Sequence, residues 1–98
     1  MNINEKYPSL SYFLRCYFNQ DFEELFGSAG DTVTAYKKTE SVDEQRQMKA
    51  EIGQLLGLDL KEDELQDILL NQIDCGYYYL NEWDSSSDWL KHLHNQLT

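Results

Sequence analysis

Proline occurs once in the 98 residues and glycine five times, too few for a turn-rich all-β chain. Histidine is as scarce, with only His92 and His94. Two cysteines, Cys16 and Cys75, are too few and too far apart for a disulfide scaffold. Lysine and arginine number eight against eighteen acids, a formal charge of −10. Phosphate contacts need basic side chains, so direct binding of nucleic acid or of an anionic membrane surface is excluded as a main role. No apolar run approaches the length of a membrane span. The opening residues MNINEKYP have neither an apolar signal core nor a cleavage pattern, and cytoplasm is the expected location.

What is present is an apolar fraction of 41%, with 13% aromatic, enough to build one core. Such a chain is a single domain over residues 1–98, with a radius of gyration near about 13 Å. The densest apolar stretch is YPSLSYFLRCYFNQDFEELFGS, Tyr7 to Ser28. Leu10, Phe13, Leu14, Tyr17 and Phe18 recur at helical spacing and share one face. Pro8 suits a first helical turn, so a helix is expected from Pro8 or Ser9 to Phe18 as the piece the others pack against. Residues 1–6 read as a polar lead-in that frays. Cys16, inside the aromatic helix, is expected to be a buried free thiol.

Asp21 can cap a very short helix that Gly27 ends. Asp31 and Thr32 are cap candidates for a helix to Thr39 burying Val33 and Tyr36. Ser41-Val42-Asp43-Glu44 fits a capping box opening a long helix from Val42 to Leu56, with Met48, Ile52, Leu55 and Leu56 inward and Gly57 as its stop. Gly53 inside that helix points to close packing. Lys61 to Gln72 reads as another helix with Leu65, Ile68, Leu69 and Ile73 inward. A last one should run from Asp88 to Leu97, capped within Ser85 to Ser87. Between them Tyr77, Tyr78 and Tyr79 cannot all face one way, so at least one is exposed, and a short hairpin at 77–80 stays open. The expected architecture is all-α, a compact bundle of four to five short antiparallel helices.

Catalytic and metal chemistry find little support. On a helix His92 and His94 point about 200° apart and cannot share a metal ion. No zinc ligand spacing or phosphate-binding glycine loop occurs. Cys75 lacks any local signature of a nucleophile and reads as structural. The segment DLKEDELQD lacks the alternating ligands and central glycine of a calcium loop and reads as a solvated helix start. No cofactor and no enzymatic activity are expected.

What remains is surface. From Asp59 to Asp88 nine acids stand against one base, Lys61, interleaved with Tyr77, Tyr78, Tyr79 and Trp83. Carboxylates among tyrosine and tryptophan suit a basic protein surface, the aromatics as anchors and the acids for steering and charge-assisted hydrogen bonds. The competing reading makes the tyrosines a plug for the bundle end and the acids mere solvation. The contact residues expected on the first reading are Asp21, Glu23, Glu24, Asp63, Asp67, Tyr78, Tyr79, Glu82, Trp83 and Asp84. One alternative use of such acidity is an adaptor or nucleic-acid mimic regulating a DNA-binding protein. The six basic residues scattered before Gly57 do not favour it.

The opening stretch also resembles the N-terminus of CdiI-type immunity proteins of contact-dependent growth inhibition systems. Their pattern is Y-P-x-L-x-x-F-L-x-x-Y-F-H-Q-D-W followed by a glycine-serine turn. Tyr7-Pro8, Leu10, Phe13-Leu14, Tyr17-Phe18, Gln20-Asp21 and Gly27-Ser28 match it, while Asn19 and Phe22 replace the usual histidine and tryptophan. Cys75, Tyr78, Tyr79, Trp89 and Leu90 resemble the family's Cys-x-Tyr-Tyr stretch and Trp-Leu final helix. The resemblance implies an all-α bacterial cytoplasmic protein that binds, 1:1, the toxic C-terminal domain of a CdiA effector, often a nuclease (RNase or DNase) with a basic cleft. The shared motif looks like core and turn, so no contact residue is carried over from the family.

Overall fold

In the computed structural model, which describes residues 3–97, the chain is all-α, with no strand among the described residues. The described residues hold seven α segments: α1 (Ile3–Lys6), α2 (Pro8–Tyr12), α3 (Phe22–Phe26), α4 (Ala29–Thr39), α5 (Val42–Gly57), α6 (Glu62–Gln66) and α7 (Ser86–Gln96). Two wider π-helical turns extend α2 through Phe13–Tyr17 and α6 through Asp67–Gln72. The segments outnumber the expected four to five because short pieces flank the longer ones. One is α1, where a fraying lead-in was expected. Its Ile3 packs against the core, which gives the turn a reason to form. Residues 1–2 lie outside the described part. The radius of gyration is 12.4 Å.

Long-range packing centres on α5, which lies against both α2 and α7. Met48, Ile52 and Leu55 are buried on it as expected, and Leu56 is only half-buried. The aromatic face of α2 and its π turn is also buried, from Leu10 through Phe18. Phe13 meets Tyr36 of α4 edge-on at 4.7 Å and Phe18 edge-on at 5.1 Å. Phe18 stacks on Tyr77 at 5.2 Å and Tyr79 stacks on Trp89 of α7 at 4.5 Å. A continuous chain of rings therefore joins α4, α2 and α7. Aromatic pairs in these geometries add about 0.5–1.5 kcal/mol each beyond the area they bury.

The helix starts depend on side chains that the sequence indicates only in part. Ser41 Oγ accepts from the amide of Glu44 at 3.1 Å, half of the expected capping box. The Glu44 carboxylate is used elsewhere, accepting from Ser9 Oγ and from the Tyr36 hydroxyl. At α4 the cap is Ser28 rather than Asp31 or Thr32: Ser28 Oγ accepts from the Asp31 amide, and the Asp31 carboxylate accepts from the Ser28 amide. The start of α2 is capped from outside. Glu51 of α5, only 1% exposed, accepts from the amides of Leu10 (2.9 Å) and Ser9 (3.2 Å) and from Gln47 (2.8 Å). An orphan pair of donors and a buried carboxylate thereby satisfy each other.

Three smaller expectations change. Cys16 is exposed, not buried. Gly57 belongs to α5, and the left-handed residue that turns the chain after it is Asp59, with φ 53°. At Gly53 an added Cβ would meet His94 at 3.6 Å, ordinary contact rather than close packing.

Candidate partner-binding face

The segment after α6 is positioned by backbone geometry. Asp74 adopts a left-handed conformation, φ 68°. Gly76 then runs so close to the turn after α2 that its amide donates to the Phe18 carbonyl at 2.8 Å. With Tyr77 stacked on Phe18 and Tyr79 against Trp89, both rings are held in the core and Tyr78 between them is turned out, 53% exposed. The expectation that at least one of the three is exposed holds. Tyr79 is a correction to the contact list: it is fully buried, its hydroxyl bonded to Ser86 Oγ, and no partner on the native surface reaches it. A short 3-10 turn, Tyr79–Asn81, replaces the possible hairpin. It sets Glu82 and Trp83 against α7, where the Trp83 ring lies 4.6 Å from His92.

Three adjoining depressions meet at Glu82. The first, about 470 Å³, lies between the turn at Gln20–Glu23, the start of α4 and the segment Tyr77–Glu82. The second, about 390 Å³, shares Ala29, Gly30 and Glu82 with it and reaches Trp83 and His92. The third is lined by Glu82, Trp83, Asp84, Asp88 and His92, with Lys91 at its side. Glu23, Tyr78, Glu82, Trp83 and Asp84 thus share one continuous acidic and aromatic face. Asp21 lines a neighbouring hollow that touches the first through Gln20 and Gly76. Glu24 is exposed on α3 beside it. Asp63 and Asp67 stand apart, in a groove with Lys6, Leu58 and Leu60. The Asp67 carboxylate is held below its usual range by hydrogen bonds from Asn71 and Gln72.

Glu62 is a residue that sequence reasoning missed. Expected as a solvated helix start, it instead reaches α7, accepting from the Ser86 amide (2.9 Å) and Ser86 Oγ (2.7 Å). Burial works against its charge, but these bonds and one from Gln66 outweigh burial and lower its pKa.

The cysteine and histidine side chains near the face are engaged in packing. The Cys75 thiol is buried and pushed up to about 12, chiefly by that burial, with its sulfur against the Tyr77 carbonyl. A thiol so protonated is a poor nucleophile. His92 packs on Trp83 and His94 faces Gly53. Among the described residues no three His, Cys, Asp or Glu stand together as metal ligands, and no helix is long and apolar enough to cross a membrane.

The described residues thus form an all-α fold with one acidic face that carries the rings of Tyr78 and Trp83. The family described as CdiI immunity protein matches residues 6–97, and the chain belongs to that family. A solved structure is similar at 68% identity and a TM-score of 0.95, covering 98% of this chain and 97% of the other. It is the crystal structure of a CdiA-CT/CdiI complex from Y. kristensenii. No curated protein matches the chain.

Proposed function

We propose that this chain is the immunity partner of a CdiA effector, binding its toxic C-terminal domain 1:1 in the bacterial cytoplasm and blocking it. The observation that carries this reading is the 68% identity, over nearly the whole of both chains, to a protein solved within a CdiA-CT/CdiI complex. The contact face runs through Glu23, Tyr78, Glu82, Trp83 and Asp84, with Asp21 and Glu24 at its edge. Asp63 and Asp67, in their separate groove, lie outside it. The face is suited to a basic partner, and a nuclease needs basic side chains where it holds phosphate. Acidic protein surface placed over such a cleft, or over a neighbouring site, excludes the nucleic acid.

Co-expression tests the proposal. The C-terminal domain of the effector encoded beside this chain should arrest growth alone and be tolerated when this chain is present, with the two eluting as a 1:1 complex. Growth arrest that persists despite soluble, folded immunity protein would overturn it.

A further inference from the structure

The first depression, lined by both Glu23 and Glu82, contains an unsatisfied polar group. Tyr77 is 6% exposed, and its hydroxyl oxygen is buried with no hydrogen-bond partner. Buried polar groups almost always have partners, so an orphan at a cavity wall marks a bonding position for an incoming group. Burial, and then the nearby Glu82 carboxylate with a smaller contribution from Glu23, keep this phenol protonated well above its ordinary range. The hydroxyl therefore lies within reach of the Glu82 carboxylate, which acts on it as a long, weak acceptor, but it makes no hydrogen bond of ordinary length and its oxygen accepts none. Among the described residues lining the depression there is no lysine or arginine to offset those charges. Water can satisfy the hydroxyl, but it cannot neutralise the carboxylates.

We infer that this depression receives one arginine side chain of the toxin domain, an inference that rests on the immunity reading above. A guanidinium presents five donors in a plane, enough to be shared between Glu23 and Glu82 and to donate to the Tyr77 hydroxyl oxygen. Its flat face lies against the exposed ring of Tyr78. Lysine fits the charge but not the geometry, being a strongly hydrated point charge that does not stack. The depression thus selects for one residue type, whereas the rest of the acidic face selects only for charge.

The test measures binding of the isolated cognate toxin domain to wild-type immunity protein and to Tyr77→Phe, Glu82→Gln and Asp63→Asn. Tyr77→Phe removes only the orphan hydroxyl. It should melt at or above the wild-type temperature yet bind at least about tenfold more weakly. A hydroxyl with a purely structural role would not separate those two readouts. Glu82→Gln, on the surface, should weaken binding similarly and decides the matter if Tyr77→Phe fails to fold. Asp63→Asn, in the separate groove, should bind as wild type. In the wild-type complex one toxin arginine should resist phenylglyoxal, and Glu82→Gln should expose it. Wild-type affinity in both Tyr77→Phe and Glu82→Gln, or protection of lysines alone, overturns the inference and leaves the immunity reading intact. Failure of the wild-type protein to bind the toxin domain overturns the immunity reading itself.

Discussion

At Gly76 the surrounding backbone leaves no space for a side chain. An added Cβ would stand 2.5 Å from the Asn19 carbonyl carbon, 2.6 Å from the Gln20 amide and 2.7 Å from the Phe18 oxygen. All three are backbone atoms that cannot swing aside, so a methyl there must separate the two segments that hold Tyr77 on Phe18. Gly76→Ala is expected to cost about 1–3 kcal/mol, as overpacking does, and to lower the Tm by roughly 4–20 °C for a chain of this size. Thermal melting followed by circular dichroism checks this, and an unchanged Tm would show that the contact is not rigid. Nothing local in Asp74-Cys75-Gly76 distinguishes this glycine from an ordinary helix stop, because its constraint comes from residues almost sixty positions earlier. Cys16 is different, and its exposure was legible. On a wheel of about 100° per residue it lies some 130° from the centre of the Leu10–Phe18 stripe. Cys16 thus belongs to an aromatic helix yet lies off its buried stripe.

At the scale of elements, α6 and α7 are joined through Glu62 and the Ser86 end of α7. The Glu62 pKa is lowered in the folded chain, so its charged form is what the fold favours. Its contribution is present above the ordinary value of 4.5 and is lost as pH falls through the lower folded value. Glu62→Gln should destabilise by about 1.5–3 kcal/mol at neutral pH, the range for hydrogen bonds to a charged group. It should also flatten the acid side of the stability curve. Melting temperatures from neutral pH to below 4.5 measure both effects, and a parallel acid limb in the variant would remove Glu62 from the account. Helix positions were readable from periodicity, since α2, α4, α5 and α7 fall close to where apolar spacing and cap residues put them. The partners of their caps were not. Capping patterns see three residues ahead, whereas Glu44 and Glu62 spend their carboxylates on residues 35 and 24 positions away.

At the scale of the whole molecule, a charge of −10 produces a field that reaches beyond any single contact. Encounter with a basic toxin domain should be steered, with association rates rising toward roughly 10⁸–10⁹ M⁻¹s⁻¹ at low salt. Stopped-flow measurement should show the on-rate falling with ionic strength while the off-rate changes little. Paired reversal at Glu82 and Asp84 to lysine should lower the on-rate at low salt and shrink its salt dependence. Insensitivity to both salt and reversal would remove steering from the mechanism. Acid-rich composition does not tell which carboxylates share a face. Asp63 and Asp67 lie close to Glu82 in composition and sequence, yet the fold sets them in a different groove.

The cap that Glu51 provides for α2 also bears on how the chain is made. The amides of Ser9 and Leu10 have their acceptor only once residue 51 has been synthesised, and the ring chain is completed only when Trp89 arrives. A fragment that stops short of residue 51 lacks the acceptor for both amides, so the start of α2 would be left to water alone and should fray. The N-terminal helix and the middle of the chain thus stand or fall together, although forty residues separate them.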